Sequence, residues 1–381
     1  MERVRYGIVG VGGMGTGHAR SMQAIEEIEL VAVCDIVPEV AEAVGEEFNV
    51  PYFVDFHNLV DRDDVDAIVV ATPHYAHPEI SIYAMEQGKP VVCEKPISVT
   101  VSAADEMVAA AERTGTPFAV MHQRRSEPVW QAASKLVSEG RLGEIYRTML
   151  VYADFRSQAY YNSAGWRATW GGEGGGVLIN QAPHSIDLFT WLGGLPSRVT
   201  GHTATKGHVI EVEDVAGALL EYPNGAVGYM YCCTNEAPST DILELAGEKG
   251  KLQVIGTELR FWEVPDGVKG FSDSSTEMWT RPDVVEVPVE IPDRESGHSA
   301  ILRNMARHIL HGEELIAPGV EGRNTVEMIN AVILSGQAGE PVDVPVNRER
   351  YDAFLASLVA TSSFGKGDRG PDLRVTDDVH H

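Results

Sequence analysis

Tyr6-Gly7-Ile8-Val9-Gly10-Val11-Gly12-Gly13-Met14-Gly15 is the stretch whose reading decides the fold. Its apolar run has strand length, and Gly10, Gly12 and Gly15 follow in GxGxxG spacing. In that spacing Gly10 permits a tight turn, Gly12 lets the backbone approach a pyrophosphate, and Gly15 lets helix and strand pack closely. Gly13 and Met14 open the helix that follows, so a diphosphate would lie at its positive end. Asp35 closes the next apolar run twenty residues after Gly15, where an acid binds the ribose hydroxyls of NAD. It would repel a 2′-phosphate, and no arginine directly follows it, so NAD is favoured over NADP.

Outward from this motif, short apolar runs at 6–9, 30–34, 67–71, 91–93 and 118–121 alternate with helical spacing at 14–24, 38–48, 78–87 and 101–114. Pro38 and Pro78 stand where a first helical turn tolerates proline. Strand and helix in strict alternation predict an α/β, doubly wound parallel sheet over 1–122. Beyond it, one helical stretch at 127–139 and the glycine-rich 171–176 lead into strand-like runs at 146–155, 215–222, 226–233, 242–246 and 284–291. Asn224-Gly225 between two of them is a hairpin signal. The expectation for 123–364 is an α+β domain on a large, mostly antiparallel open sheet. Helices within 299–340 are expected to pack back on the first domain, and the polar tail 365–381 is expected to be flexible.

Thirty lysines and arginines oppose 56 acidic residues, a net charge of −26. Such a chain repels nucleic acid phosphates and anionic membrane surfaces. Cys34, Cys93, Cys232 and Cys233 form no CxxC or metal-type cluster, and no metal site is expected. With reduced thiols, no signal-like leader and no membrane-length apolar run, a cytoplasmic protein is expected.

Thr72-Pro73 with His77 follows the run at 67–71, at the sheet edge where open α/β folds bind ligands. For His77, capping a helix is the competing role. Glu94-Lys95-Pro96 places a carboxylate and an ammonium just past a buried strand, where lysine can orient a substrate hydroxyl or exchange a proton. After the glycines, a helix would put Asn180 and His184 one turn apart on one face. Histidine, with an ordinary pKa of about 6.5, can take and return a proton near neutrality. Arg125, Arg156, Trp166, Arg167 and Trp170 carry planar donors and aromatic faces suited to hydroxyl-rich ligands.

Over nearly its whole length the chain resembles the Gfo/Idh/MocA family, which includes glucose-fructose oxidoreductase and inositol and sugar dehydrogenases. The resemblance rests on the glycine fingerprint, Thr72-Pro73 with His77, Glu94-Lys95-Pro96, Gln123 with Arg125, Trp166-Arg167, and the run from Gly174 through Asn180-Gln181-Ala182-Pro183-His184 to Leu188. It implies that Lys95 contacts the reacting oxygen, that His184 is the acid/base, and that Glu94 and Pro96 fix the lysine loop. Gln123, Trp166 and Arg167 are carried over as cofactor-site residues, and a homodimer or homotetramer is implied through the open sheet.

The reading is an NAD-dependent dehydrogenase oxidising a secondary or anomeric hydroxyl of a sugar, sugar derivative or inositol. One departure matters: relatives often carry aspartate four residues before this histidine, and here the position is Asn180. Asparagine cannot accept a proton. Either His184 works without that carboxylate, or Lys95 shares the base role. Two rivals keep the fold: a glycoside hydrolase that uses bound NAD transiently, and a non-catalytic NAD/sugar-binding sensor.

Overall fold

The computed structural model describes residues 3–363, so the tail 365–381 lies outside the described residues. Six strands form the first sheet: β1 (Val4–Val9), β2 (Ile28–Cys34), β3 (Tyr52–Phe53), β4 (Ala67–Val70), β5 (Val91–Cys93) and β6 (Phe118–Val120). Between them run α1 (Gly13–Met22), α2 (Pro38–Phe48), α3 (Phe56–Val60), α4 (His77–Glu86) and α5 (Val101–Thr114). The order is β3-β2-β1-β4-β5-β6, and every pairing is parallel. β4 and β5 are buried at every position, as strands covered on both faces must be. The order reverses between β1 and β4, which opens a crevice at their carboxyl ends.

The second half runs α6 (Pro128–Ser138), β7 (Ile145–Phe155), α7 (Gln158–Tyr161), α8 (Val177–Asn180) and α9 (Pro183–Gly193). Then come β8 (Arg198–Ala204), β9 (Val215–Glu221), β10 (Val227–Cys233), β11 (Asn235–Gly247), β12 (Gly250–Ile255) and β13 (Glu258–Glu263). α10 (Val268–Ser274), β14 (Val285–Val287), α11 (His298–His311), α12 (Gly319–Ala338), β15 (Val342–Asp343) and α13 (Arg348–Thr361) complete the described chain. The nine-stranded sheet is ordered β14-β13-β12-β11-β7-β10-β9-β8-β15, antiparallel except where β10 meets β7. On β9 and β10, Ala216, Leu220 and Met230 are buried while Leu219, Val227 and Tyr229 are exposed. That two-residue alternation leaves one sheet face open.

Asn224-Gly225 turns β9 into β10, with Gly225 at φ +84°. The strand expected at 284–291 is only Val285–Val287, because Pro288 has no N–H to continue the ladder. Ile301, Leu302 and Met305 of α11 join the core of the first sheet. α12 spans both layers: Val326 packs with the first sheet, and Met328 through Leu334 with the second.

Candidate active site

The crevice begins at Gly10, whose φ of +87° suits glycine alone among common residues. A Cβ on Gly15 would stand 1.9 Å from the Gly10 carbonyl, so only glycine lets α1 start this close to β1. By contrast, Gly12 and Gly13 face open space, and no side chain caps α1. Asp35 accepts from Val11 N and Val37 N, both at 3.0 Å, which ties the glycine loop to the end of β2. Beside it Ile36 and Val37 are exposed, and neither carries a charge to meet a phosphate. Met14 is half exposed at the helix start, and the buried Thr72 Oγ1 has no hydrogen-bond partner among the described residues. These residues fit a dinucleotide: open backbone amides for a diphosphate and a carboxylate for a ribose.

His77 does not cap α4. Its ring nitrogens lie instead 2.9 Å from the Pro96 carbonyl and 2.8 Å from the Thr72 carbonyl. It thereby clasps the loop after β4, with exposed Pro73, to the loop after β5. On that second loop Glu94 accepts from His18 at 2.7 Å and from the Lys95 backbone at 3.0 Å. Burial alone would raise the Glu94 carboxyl, but the His18 hydrogen bond and charge outweigh it and hold it at about 2. Lys95 Nζ donates to the Asn180 carbonyl at 2.9 Å. Burial pulls its pKa down, and the charges of Glu94 and Glu173 oppose that pull.

The single helix expected to carry Asn180 and His184 is two helices. α8 ends at Asn180, and α9 starts at Pro183, which has no N–H to extend α8. His184 therefore stands in the first turn of α9, where its Nε2 is 3.4 Å from the Gln123 amide. It keeps some surface exposed in the cleft, yet protein atoms crowd it so closely that its charged form is poorly solvated. Burial first, then Lys95, His122 and Arg124, push its pKa well below the ordinary value. His184 Nδ1, Gln123 Oε1 and Gln181 Oε1 are buried without partners among the described residues. Each such atom costs roughly 1–3 kcal/mol, which a ligand offering hydroxyls would relieve.

Arg167 stacks 4.3 Å from the Tyr160 ring and 4.6 Å from the Trp166 ring, and it donates to the Tyr160 hydroxyl at 2.6 Å. Gln181 also donates to that hydroxyl, at 3.0 Å. Arg156 pairs with Asp154 at 2.5 Å, and its charge reaches Lys95. Trp170 is buried and spends its indole N–H on the Glu211 carbonyl. Arg125 is a correction: it lies 1% exposed, bonded to Asp187 at 2.7 and 2.8 Å and to Glu321, and offers a substrate nothing.

His18, His122, Tyr160 and Glu173 escaped the sequence reading, and Gln181 entered it only as part of a motif. Glu173 lies inside the glycine-rich run, and a carboxylate among glycines is the signal that could have marked it. It accepts from the Asn180 amide and, at 2.5 Å, from Ala168 N, with Arg167 3.8 Å away.

Residues 4–122 match the oxidoreductase family model GFO/IDH/MocA, described as an NAD-binding Rossmann fold, and residues 130–253 match the GFO/IDH/MocA C-terminal domain. The chain belongs to this family. A 2,7-anhydro-N-acetylneuraminate hydratase of Mediterraneibacter gnavus is 33% identical over 56% of this chain and 57% of its own length. An inositol 2-dehydrogenase of Saccharopolyspora erythraea is 29% identical over 66% of this chain and 73% of its own. Among solved structures, the WlbA dehydrogenase of Bordetella pertussis, in complex with NADH and UDP-GlcNAcA, superposes with TM-score 0.75. It is 29% identical, and the match covers 91% of this chain and all of that one. Family membership makes the chain an oxidoreductase. Among the described residues no helix is long and apolar enough to cross a membrane.

Proposed function

We propose that this chain binds NAD across Gly10, Gly12, Gly13, Gly15 and Asp35 and oxidises a secondary or anomeric hydroxyl of a sugar, sugar derivative or inositol. The observation that carries the reading is Lys95 Nζ held on the Asn180 carbonyl, with His184 beside Gln123 in a buried setting that lowers its pKa. Bound NAD supplies the hydride acceptor. The Lys95 ammonium orients the hydroxyl oxygen and stabilises the negative charge that grows there. His184 accepts the hydroxyl proton as the carbon gives up its hydride, so the product is a ketone or lactone. Arg167, Trp166, Tyr160 and Gln181 form the wall that grips the remaining hydroxyls, with Arg156 at its edge.

The test is absorbance at the NADH band when protein and NAD meet a panel of sugars, inositols and glycosides. Stoichiometric NADH that is lost in Lys95→Ala and His184→Ala supports the reading; NADH formed undiminished by both variants sinks these roles. The relative named a hydratase supports a second reading, in which the hydride returns within one turnover. Product without net NADH would select it.

We further propose a division near residue 122 and a homodimer or homotetramer built on the open sheet face around Leu219, Val227 and Tyr229. Four buried free cysteines support a cytoplasmic location.

A further inference from the structure

Asn180 stands four residues before His184 and carries no carboxylate of its own. Two groups nevertheless converge on it. Lys95 Nζ sits on its backbone carbonyl at 2.9 Å, and its Nδ2 donates to the carboxylate of Glu173, which is 1% exposed. An ionised carboxylate only accepts hydrogen bonds, so the amide has one orientation: Nδ2 toward Glu173 and Oδ1 away from it. Among the described residues Oδ1 receives no hydrogen bond, which leaves a free acceptor on the residue whose backbone carbonyl holds the Lys95 ammonium. Glu173 itself is fixed by Ala168 N at 2.5 Å, and its own carbonyl lies 3.2 Å from His74 Nδ1.

We propose that Glu173 is a positioning residue of this site. It turns the Asn180 amide so that Oδ1 accepts from the substrate hydroxyl, and it places beside Lys95 the negative charge that residue 180 lacks. Glu173 and Asn180 together thus do the work of one aspartate. This rests on the dehydrogenase reading for its substrate, although the pairing itself does not. The charged and titratable groups facing Glu173 are Arg167, Lys95, Glu213, Tyr161 and His74. Burial raises the Glu173 carboxyl, and Arg167, the Asn180 amide and Lys95 oppose it. When Glu173 takes up a proton, the amide loses its reason to face one way.

The full chain and its Glu173→Gln, Asn180→Asp and double Glu173→Gln/Asn180→Asp variants would be compared in two assays. Without substrate, NMR of the side-chain amides, with Asn180 assigned by its loss in Asn180→Asp, should show the Asn180 signal titrating with Glu173 and falling silent in Glu173→Gln. An Asn180 signal indifferent to that substitution overturns the pairing. With NAD and the panel compound that the wild type oxidises, myo-inositol first, Glu173→Gln should lower kcat by about tenfold or more while NAD affinity stays unchanged. The double variant should recover about tenfold, because aspartate presents an acceptor and a charge whichever way it turns. Asn180→Asp alone sets two carboxylates in contact, so one takes a proton and the acid limb of the rate profile moves to higher pH. A double variant no faster than Glu173→Gln overturns the proposal. If Glu173→Gln does not fold, Glu173→Asp keeps the charge but withdraws its reach, and the same loss is expected. If the wild type yields NADH from nothing while the amide titrates, the pairing stands and the dehydrogenase reading falls.

Discussion

His122 makes a sharp test of the electrostatics beneath the site. Its ring is 1% exposed and stands edge-on to His184 with centroids 6.4 Å apart; neither ring nitrogen has a hydrogen-bond partner among the described residues. Asp187 lies 3.5 Å from Nε2 and opposes desolvation without overcoming it, so the pKa falls to about 4. A histidine depressed in the fold contributes stability that is fully present above its unfolded pKa and is lost as pH falls toward the folded value. Between pH 7.5 and 5.5 the unfolded chain takes up the proton while this site refuses it, which costs about 1.4 kcal/mol. Substituting His122→Leu removes that share and leaves Asp187 bonded to Arg125 and Thr325. Urea denaturation at pH 7.5 and 5.5 should therefore show a smaller acid loss in the variant, by about 1.4 kcal/mol. Both conditions stay above the sequence pI of about 4.8, where solubility is least. Equal losses in the two proteins would refute a neutral, desolvated His122.

Gly15→Ala drives a Cβ against the Gly10 carbonyl, so NAD affinity measured by fluorescence quenching should collapse while the second sheet stays folded. Asp35→Ser removes a charged acceptor worth about 1.5–3 kcal/mol, which predicts NAD binding weaker by roughly ten- to a hundredfold and a reduced preference over NADP. Arg125→Met strands the buried carboxylate of Asp187 and should destabilise the chain by about 3–5 kcal/mol, with little change in KM for any substrate of the folded fraction.

The cofactor half was legible because its constraints are those of the backbone. Gly10 needs a positive φ, Gly15 needs the absence of a Cβ, and Asp35 must end a strand; each is a demand on residue type at fixed spacing that a sequence displays directly. The parallel sheet was legible for a related reason, since strands buried on both faces read as unbroken apolar runs. β15 and α13 left weaker marks: a two-residue strand has no period, and only Tyr351 and Leu355 of α13 are buried.

On the substrate side a residue's role depends on its partner, and partners are set by the fold. Arg125 and Arg167 look alike as planar donors, but Asp187 and Glu321, 62 and 196 residues further along, engage the first in the core. Tyr160 and Trp166, local in sequence, stack on the second, whose charge reaches Lys95. Asn180 teaches the converse. Judged by type it lacks a carboxylate, and the proton route looks broken. Judged by its surroundings it is bonded to one, because the glycines that flank Glu173 let the chain bring that side chain back beneath α8. The chemistry available at position 180 is therefore a property of the pair, and no inspection of either residue alone could have assigned it.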